Sequence, residues 1–206
     1  MTFHLHGLYA LTPDDCSSLA DAVEATIAGG ARMIQYRDKT AGTPEREARA
    51  KALLALCRSQ GIPLIINDDL DLALALGADG VHLGEDDCSI AEARERFPSG
   101  LIGASCYNDF ARARVAIHSG ASYVAFGSFY DSPTQPDAVT AQLDLLMRAR
   151  RELSVPACAI GGINADNAAP LIQAGADLLA VCSGIFAQPD ITSATRAIAC
   201  QFQENG

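Results

Sequence analysis

The sequence predicts a single (β/α)8 barrel over residues 1–206, and three observations predict it. Four segments begin with Gly-Ala and run into apolar residues: Gly30-Ala31 before Met33, Gly77-Ala78 before Val81, Gly120-Ala121 before Val124, and Gly175-Ala176 before Leu178. They recur at intervals of 47, 43 and 55 residues, each long enough for two strand–helix units. Four more short apolar runs lie between them, and a stretch of helical periodicity follows each of the eight runs. Gly suits the left-handed turn that ends a helix, and the apolar run after it suits a strand buried on both faces. A doubly wound sheet is the alternative, but it leaves the four-fold recurrence without a reason.

Leu8–Leu11 is the first strand, followed by Pro13 and a helix over 17–28. The second strand begins at Met33 and leads to a helix from Pro44 to Ser59. Pro63–Ile66 precedes a helix over 69–76, and the strand of the Gly77 recurrence precedes one over 90–97. Leu101–Ala104 leads to 109–119, and the strand of the Gly120 recurrence to 140–153. Val155–Ile160 leads to 165–174, and the strand after Gly175 to 191–203. Barrels of this kind commonly need about 250 residues, so the loops here must be lean.

Composition narrows the function. Apolar residues make up 49% of the chain and charged residues 19%, which supports a sizeable core and argues against disorder. No apolar run reaches the roughly 18 to 20 residues that span a bilayer. Met1 to Thr12 lacks the basic start and apolar centre of a signal peptide, so a cytoplasmic location is expected. A net charge of −10 repels nucleic acid and anionic membranes as non-specific partners. The seven cysteines are widely spaced with no CxxC pair, and read as free thiols in a reducing compartment.

Active sites of barrels lie at the C-terminal ends of the strands. One polar residue there is usually a loop or cap residue; the sum over strands carries the argument. The second strand ends in Gln35-Tyr36-Arg37-Asp38-Lys39, whose alternation points Gln35, Arg37 and Lys39 one way. An amide and two cations at period two suit a ring edge and phosphate oxygens, with a solvated strand end as the competing reading. The third strand ends in Asn67-Asp68-Asp69, where Asp69 is placed as a helix N-cap. After the fourth comes Gly84-Glu85-Asp86-Asp87, and carboxylates converging from neighbouring strands suit Mg2+ bound with a substrate's phosphates. Ser105 ends the fifth strand, and a Pro-bounded loop holding Ser132, Thr134, Gln135 and Asp137 follows the sixth. Gly161-Gly162 and Cys182-Ser183 end the last two strands, the usual phosphate-binding place in this fold. His4, His6 and His118 read as surface or packing residues, and His82, inside the fourth strand, receives no role.

Together these residues resemble the thiamine-phosphate synthase family. The matching pieces are Gln35 to Lys39, Ile66 to Asp69, Asp79 to Gly84 with Asp87, Tyr123 to Gly127, and Ala159 to Ile163, in family order over nearly the whole chain. The resemblance implies a barrel enzyme that joins a pyrimidine diphosphate to a thiazole phosphate with Mg2+, giving thiamine phosphate and pyrophosphate. By position, Gln35, Arg37, Lys39, Asn67, Ser105 and Gln135 would hold the pyrimidine diphosphate, and Asp68 and Asp87 the metal. Ser132, Thr134, Gly162, Cys182 and Ser183 would hold the thiazole phosphate. Arg37, Lys39 and Ser105, with Gln135, would form the catalytic set. Small molecules are then the partners, without nucleic acid or membrane, and a homo-oligomer is compatible with the pattern. Loss of diphosphate from an aminopyrimidine methylene, followed by attack of the thiazole nitrogen, needs charge neutralisation and alignment rather than a strong base.

Two positions depart from the family pattern. Gln135 stands where the family's loop usually carries a Lys, and Tyr107 where many relatives have His. Losing a charge-assisted contact in a desolvated site costs about 2 to 4 kcal/mol of barrier. Three alternatives follow: a thiazole tautomerase-like isomerase, a ligand-binding relative with attenuated turnover, and an unrelated phosphate-binding barrel such as an epimerase. The intact Asn67-Asp68-Asp69 pattern counts against the first, and the second to fourth strands against the last.

Overall fold

The computed structural model describes residues 3–14, 16–131 and 141–204. Eight parallel strands close on themselves in chain order: β1 (Gly7–Leu11), β2 (Met33–Tyr36), β3 (Leu64–Asn67), β4 (Gly80–Leu83), β5 (Leu101–Tyr107), β6 (Tyr123–Phe126), β7 (Ala157–Ile160) and β8 (Leu178–Val181). Closure is made by β8 against β1, with Gly7 opposite Leu178 and Ala10 opposite Val181. The helices are α1 (Leu19–Ala28), α2 (Thr43–Ser59), α3 (Leu70–Leu76), α4 (Ile90–Arg96), α5 (Phe110–His118), α6 (Leu143–Glu152), α7 (Ala168–Ala174), α8 (Ser183–Phe186), α9 (Ile191–Ala199) and α10 (Gln201–Glu204). The expected (β/α)8 barrel is the observed one.

Alternation along the strands builds two cores. Tyr9, Met33, Ile65, Tyr123, Cys158 and Leu178 point inward and fill the barrel. Their neighbours Leu8, Ile34, Leu64, Val124, Ala157 and Leu179 point outward against the helices. In β2 this sends Gln35 inward, while Tyr36 and the following Asp38 turn outward, where Asp38 receives the Arg49 guanidinium of α2 at 2.9 Å.

The Gly-Ala recurrence has a structural reason on the closed end of the barrel. Gly77 and Gly175 end α3 and α7 at φ +63 and +109, which their lack of a side chain permits. After three of the Gly-Ala pairs, the next residue reaches back to the start of the preceding strand. Asp79 accepts the Leu64 N–H at 3.0 Å, Ser122 the Ile102 N–H at 3.0 Å, and Asp177 the Ala157 N–H at 2.8 Å. Three of the four recurrences thus satisfy a backbone donor that the strand ladder leaves open.

Most element bounds fall within a few residues of expectation, and four differences are informative. β5 runs three residues further, to Tyr107. α7 starts at Ala168 rather than 165, because Asn164 and Asn167 form a polar turn in which their side chains accept the Asp166 and Asn164 N–H groups. The final helix is broken into α9 and α10, and α8 was not expected at all. α8 needs Gly184, where a Cβ would lie 2.2 Å from the Ile163 carbonyl oxygen. Among the described residues, no helix is long and apolar enough to cross a membrane.

Candidate active site

The open end of the barrel holds a cavity of about 310 Å³, and beside it a smaller one of about 110 Å³. Arg37 and Gly161 line both. Gln35, Arg37 and Lys39 line the larger cavity together, as the period-two reading of the second strand requires.

The floor is a buried hydrogen-bonded chain. Gln35 Nε2 donates to Tyr9 Oη at 2.6 Å, and Tyr9 Oη lies 2.9 Å from Tyr123 Oη. His82 Nδ1 is 3.0 Å from Tyr123 Oη, and His82 Nε2 is 3.0 Å from Ser105 Oγ. Burial holds the His82 imidazole at about 4, against an ordinary 6.5, so it is neutral at pH 7. Burial likewise raises both tyrosine hydroxyls, which remain protonated. Tyr9, His82 and Tyr123 were assigned no role in the sequence; their inward register was a signal for all three, and His82 and Tyr123 also lie in the pieces that resemble the family.

The cationic wall is held from below and behind. Thr12 clamps the Arg37 backbone, its hydroxyl accepting from Arg37 N and donating to Arg37 O, each at 2.9 Å. Asp14, in the loop after β1, accepts the Arg37 guanidinium at 2.6 Å and the Lys39 N–H at 2.9 Å. Sequence reasoning missed Asp14, although its place just after the first strand put it on the same rim. Lys39 Nζ lies 3.8 Å from Asp68.

The acidic wall adjoins it, on the neighbouring strand ends. Asp68 adopts φ +63, a left-handed conformation that Asp tolerates better than most residues, and its N–H donates to the His82 carbonyl at 2.8 Å. Asp87 accepts the Gly84 N–H at 2.6 Å. Burial first, and then the neighbouring Asp87 carboxylate, raise the Asp68 carboxyl above its usual range, while Lys39 opposes this. Two carboxylates crowded at a half-buried rim favour a hard dication between them. Among the described residues no set of three His, Cys, Asp or Glu side chains converges, which leaves Asp68 and Asp87 as a pair of carboxylates there. That donor set fits Mg2+, which keeps waters and takes substrate phosphate oxygens. Asn67 lines the same wall, whereas Asp69 turns away to cap α3, accepting the Leu72 N–H at 2.8 Å and pairing with Arg46.

Tyr107 stands at the mouth with φ +53, its ring against the Arg112 guanidinium at 5.3 Å. Arg112 also pairs with Glu85 at 3.1 Å and donates to the Ser105 carbonyl at 3.0 Å, tying the ends of β4 and β5 together.

The smaller cavity is lined by Gly161, Gly162, Cys182 and Ser183. Gly162 has φ +59, and a Cβ there would meet the Asp131 carbonyl oxygen at 2.3 Å. Burial raises the Cys182 thiol, which is unsuited to act as a nucleophile. All seven cysteines are free. Ser132, Thr134 and Gln135 lie outside the described residues. Of the other sequence-derived site residues, every one lines one of the two cavities.

Fold and site together define a (β/α)8 barrel enzyme with adjoining cationic and acidic walls and a neighbouring glycine-lined recess. Residues 8–185 match the family model described as thiamine monophosphate synthase. The chain is 52% identical to the thiamine-phosphate synthase of Thioalkalivibrio sulfidiphilus, covering 97% of this chain and 96% of that protein. It is 56% identical to the thiamine-phosphate synthase of Thiobacillus denitrificans, covering 91% and 90%. Among solved structures, the thiamine phosphate pyrophosphorylase of Pyrococcus furiosus superposes with a TM-score of 0.89 at 35% identity, covering 96% of each chain. The chain belongs to the thiamine monophosphate synthase family, and it is a transferase. The isomerase and binding-protein alternatives are not favoured by these relatives.

Proposed function

We propose that the two cavities join a pyrimidine, activated as its diphosphate, to a thiazole phosphate, giving thiamine phosphate and pyrophosphate. The observation that best supports this reading is that Arg37 and Lys39 line one cavity side by side with Asp68 and Asp87, next to a separate recess suited to a second anion.

In this reading Gln35 and Ser105 hold the pyrimidine ring over the floor, while Arg37, Lys39 and Asn67 take the diphosphate. Asp68 and Asp87 would hold Mg2+, which when bound supplies charge neutralisation for the diphosphate. Arg37 and Lys39 stabilise the charge that grows on the departing oxygens. Gly162, Cys182 and Ser183, with Ser132 and Thr134, hold the thiazole phosphate so that its ring nitrogen faces the methylene carbon. The neutral floor removes no proton, in keeping with a reaction driven by leaving-group departure. The enzyme would work in the cytoplasm on small molecules.

The test mixes protein, Mg2+, pyrimidine diphosphate and thiazole phosphate, and measures thiamine phosphate. Product from the native chain is the expected result. No product above background from either the native chain or Gln135→Lys overturns the reading. Product from Gln135→Lys alone would favour the attenuated binding relative instead.

A further inference from the structure

We infer that the buried chain Gln35–Tyr9–Tyr123–His82–Ser105 is polarised in one direction, which makes Tyr9, Tyr123 and His82 positioning residues that turn the Ser105 hydroxyl proton outward to the ligand. This deepens the proposed function and rests on it for the identity of that ligand.

The direction follows from counting protons. Gln35 Nε2 can only donate, and it donates to Tyr9 Oη at 2.6 Å. The single Tyr9 hydroxyl proton then goes to its other partner, Tyr123 Oη at 2.9 Å. Tyr123, having accepted, directs its own proton to His82 Nδ1 at 3.0 Å. Both partners of the imidazole are neutral hydroxyls, so the ring carries one proton, and that proton must be on Nε2. Nε2–H donates to Ser105 Oγ at 3.0 Å, which leaves the Ser105 O–H without an acceptor on this chain of bonds. Ser105 lines the larger cavity, as does Gln35, whose Oε1 remains available as an acceptor.

The floor therefore presents a hydroxyl donor at one end and an amide acceptor at the other. It suits a planar ring edge that offers an acceptor beside a donor. Rotating the Gln35 amide by half a turn would reverse every bond, moving the His82 proton to Nδ1 and consuming the Ser105 proton inside the chain. The His82 tautomer thus reports the polarity of the whole network. The five residues come from five strands, so one amide orientation at β2 sets a hydroxyl on β5.

The first measurement needs no turnover. Long-range 1H–15N correlation on 15N-histidine protein should show His82 as the Nε2–H tautomer. His82 is identified by the signal lost in His82→Asn or, should that variant not fold, by the one signal shifted in Tyr123→Phe. The Nδ1–H tautomer overturns the inference. The second measurement is a kinetic cycle: Tyr123→Phe and Ser105→Ala each lower kcat/KM by about tenfold, and the double variant loses no more than Ser105→Ala alone. Independent, multiplying losses would overturn the positioning role. If the native chain forms no thiamine phosphate, the proposed function fails, while the tautomer still decides the polarity.

Discussion

The Asp14 carboxylate accepts the Arg37 guanidinium at 2.6 Å and so fixes, among the described residues, the one charged side chain that lines both cavities. A cation placed between two anion-receiving regions serves either only while it is held still. Asp14→Ala should lower kcat/KM for thiamine phosphate formation by about tenfold, through misplacement of Arg37 and not loss of charge. Arg37→Ala should cost at least about a hundredfold. Equal kinetics for Asp14→Ala and the native chain would remove Asp14 from the site.

Asp68 and Asp87 crowd each other at the acidic wall. Asp68→Ala and Asp87→Ala are each expected to abolish Mg2+-dependent turnover, by about a hundredfold or more. Titrating Mg2+ against initial rate checks this. Unchanged activity in either variant takes that residue out of the metal site.

Gly162 separates the recess from the Asp131 backbone. Gly162→Ala puts a Cβ into a 2.3 Å contact at φ +59, so a loss of about 1–3 kcal/mol in stability and a raised KM for the thiazole phosphate are expected. Thermal melting and substrate titration measure the two effects; a native-like KM would show that the recess does not bind that substrate.

Acid should unfold the protein in two stages. The His82 imidazole is held at about 4, so its contribution is present above the ordinary value of 6.5 and is lost as pH falls from there towards 4. Asp38 follows. Burial alone would raise its carboxyl, but the Ala41 and Thr40 N–H groups and the Arg49 guanidinium outweigh burial and bring it to about 2. Its contribution is complete above the ordinary 3.8 and is lost as pH falls towards 2. Denaturant melts across this range should show Asp38→Asn destabilised by about 2 kcal/mol at pH 7, with a flatter dependence below pH 4.

The closed end of the barrel carries the recurrence. Asp79→Ala and Asp177→Ala should each cost about 1–2 kcal/mol by leaving the Leu64 or Ala157 N–H without its partner, with little change in catalysis. A fall in kcat instead would mean that this end communicates with the site.

Much of the molecule was legible because it obeys local periods. The apolar runs, the helical stretches and the Gly-Ala recurrence all arise from neighbours a few residues apart, so the barrel could be read from them. The same period of two put Gln35, Arg37 and Lys39 on one side, and the rule for strand ends found Asn67, Asp68, Asp87 and Ser105. Asp69 as a cap was equally local. α8 escaped because its reason is a contact between Gly184 and Ile163, on different strand ends.

What the tertiary structure alone decided is pairing. Tyr9 and Tyr123 stand 114 residues apart in sequence, and His82 and Ser105 23, yet closing the barrel brings all four into one hydrogen-bonded chain. Asp14 meets Arg37 only because β1 and β2 are adjacent. Local pattern determines which face a side chain takes; only ring closure determines which other side chain it finds there, and the site's electrostatics depend on that second choice.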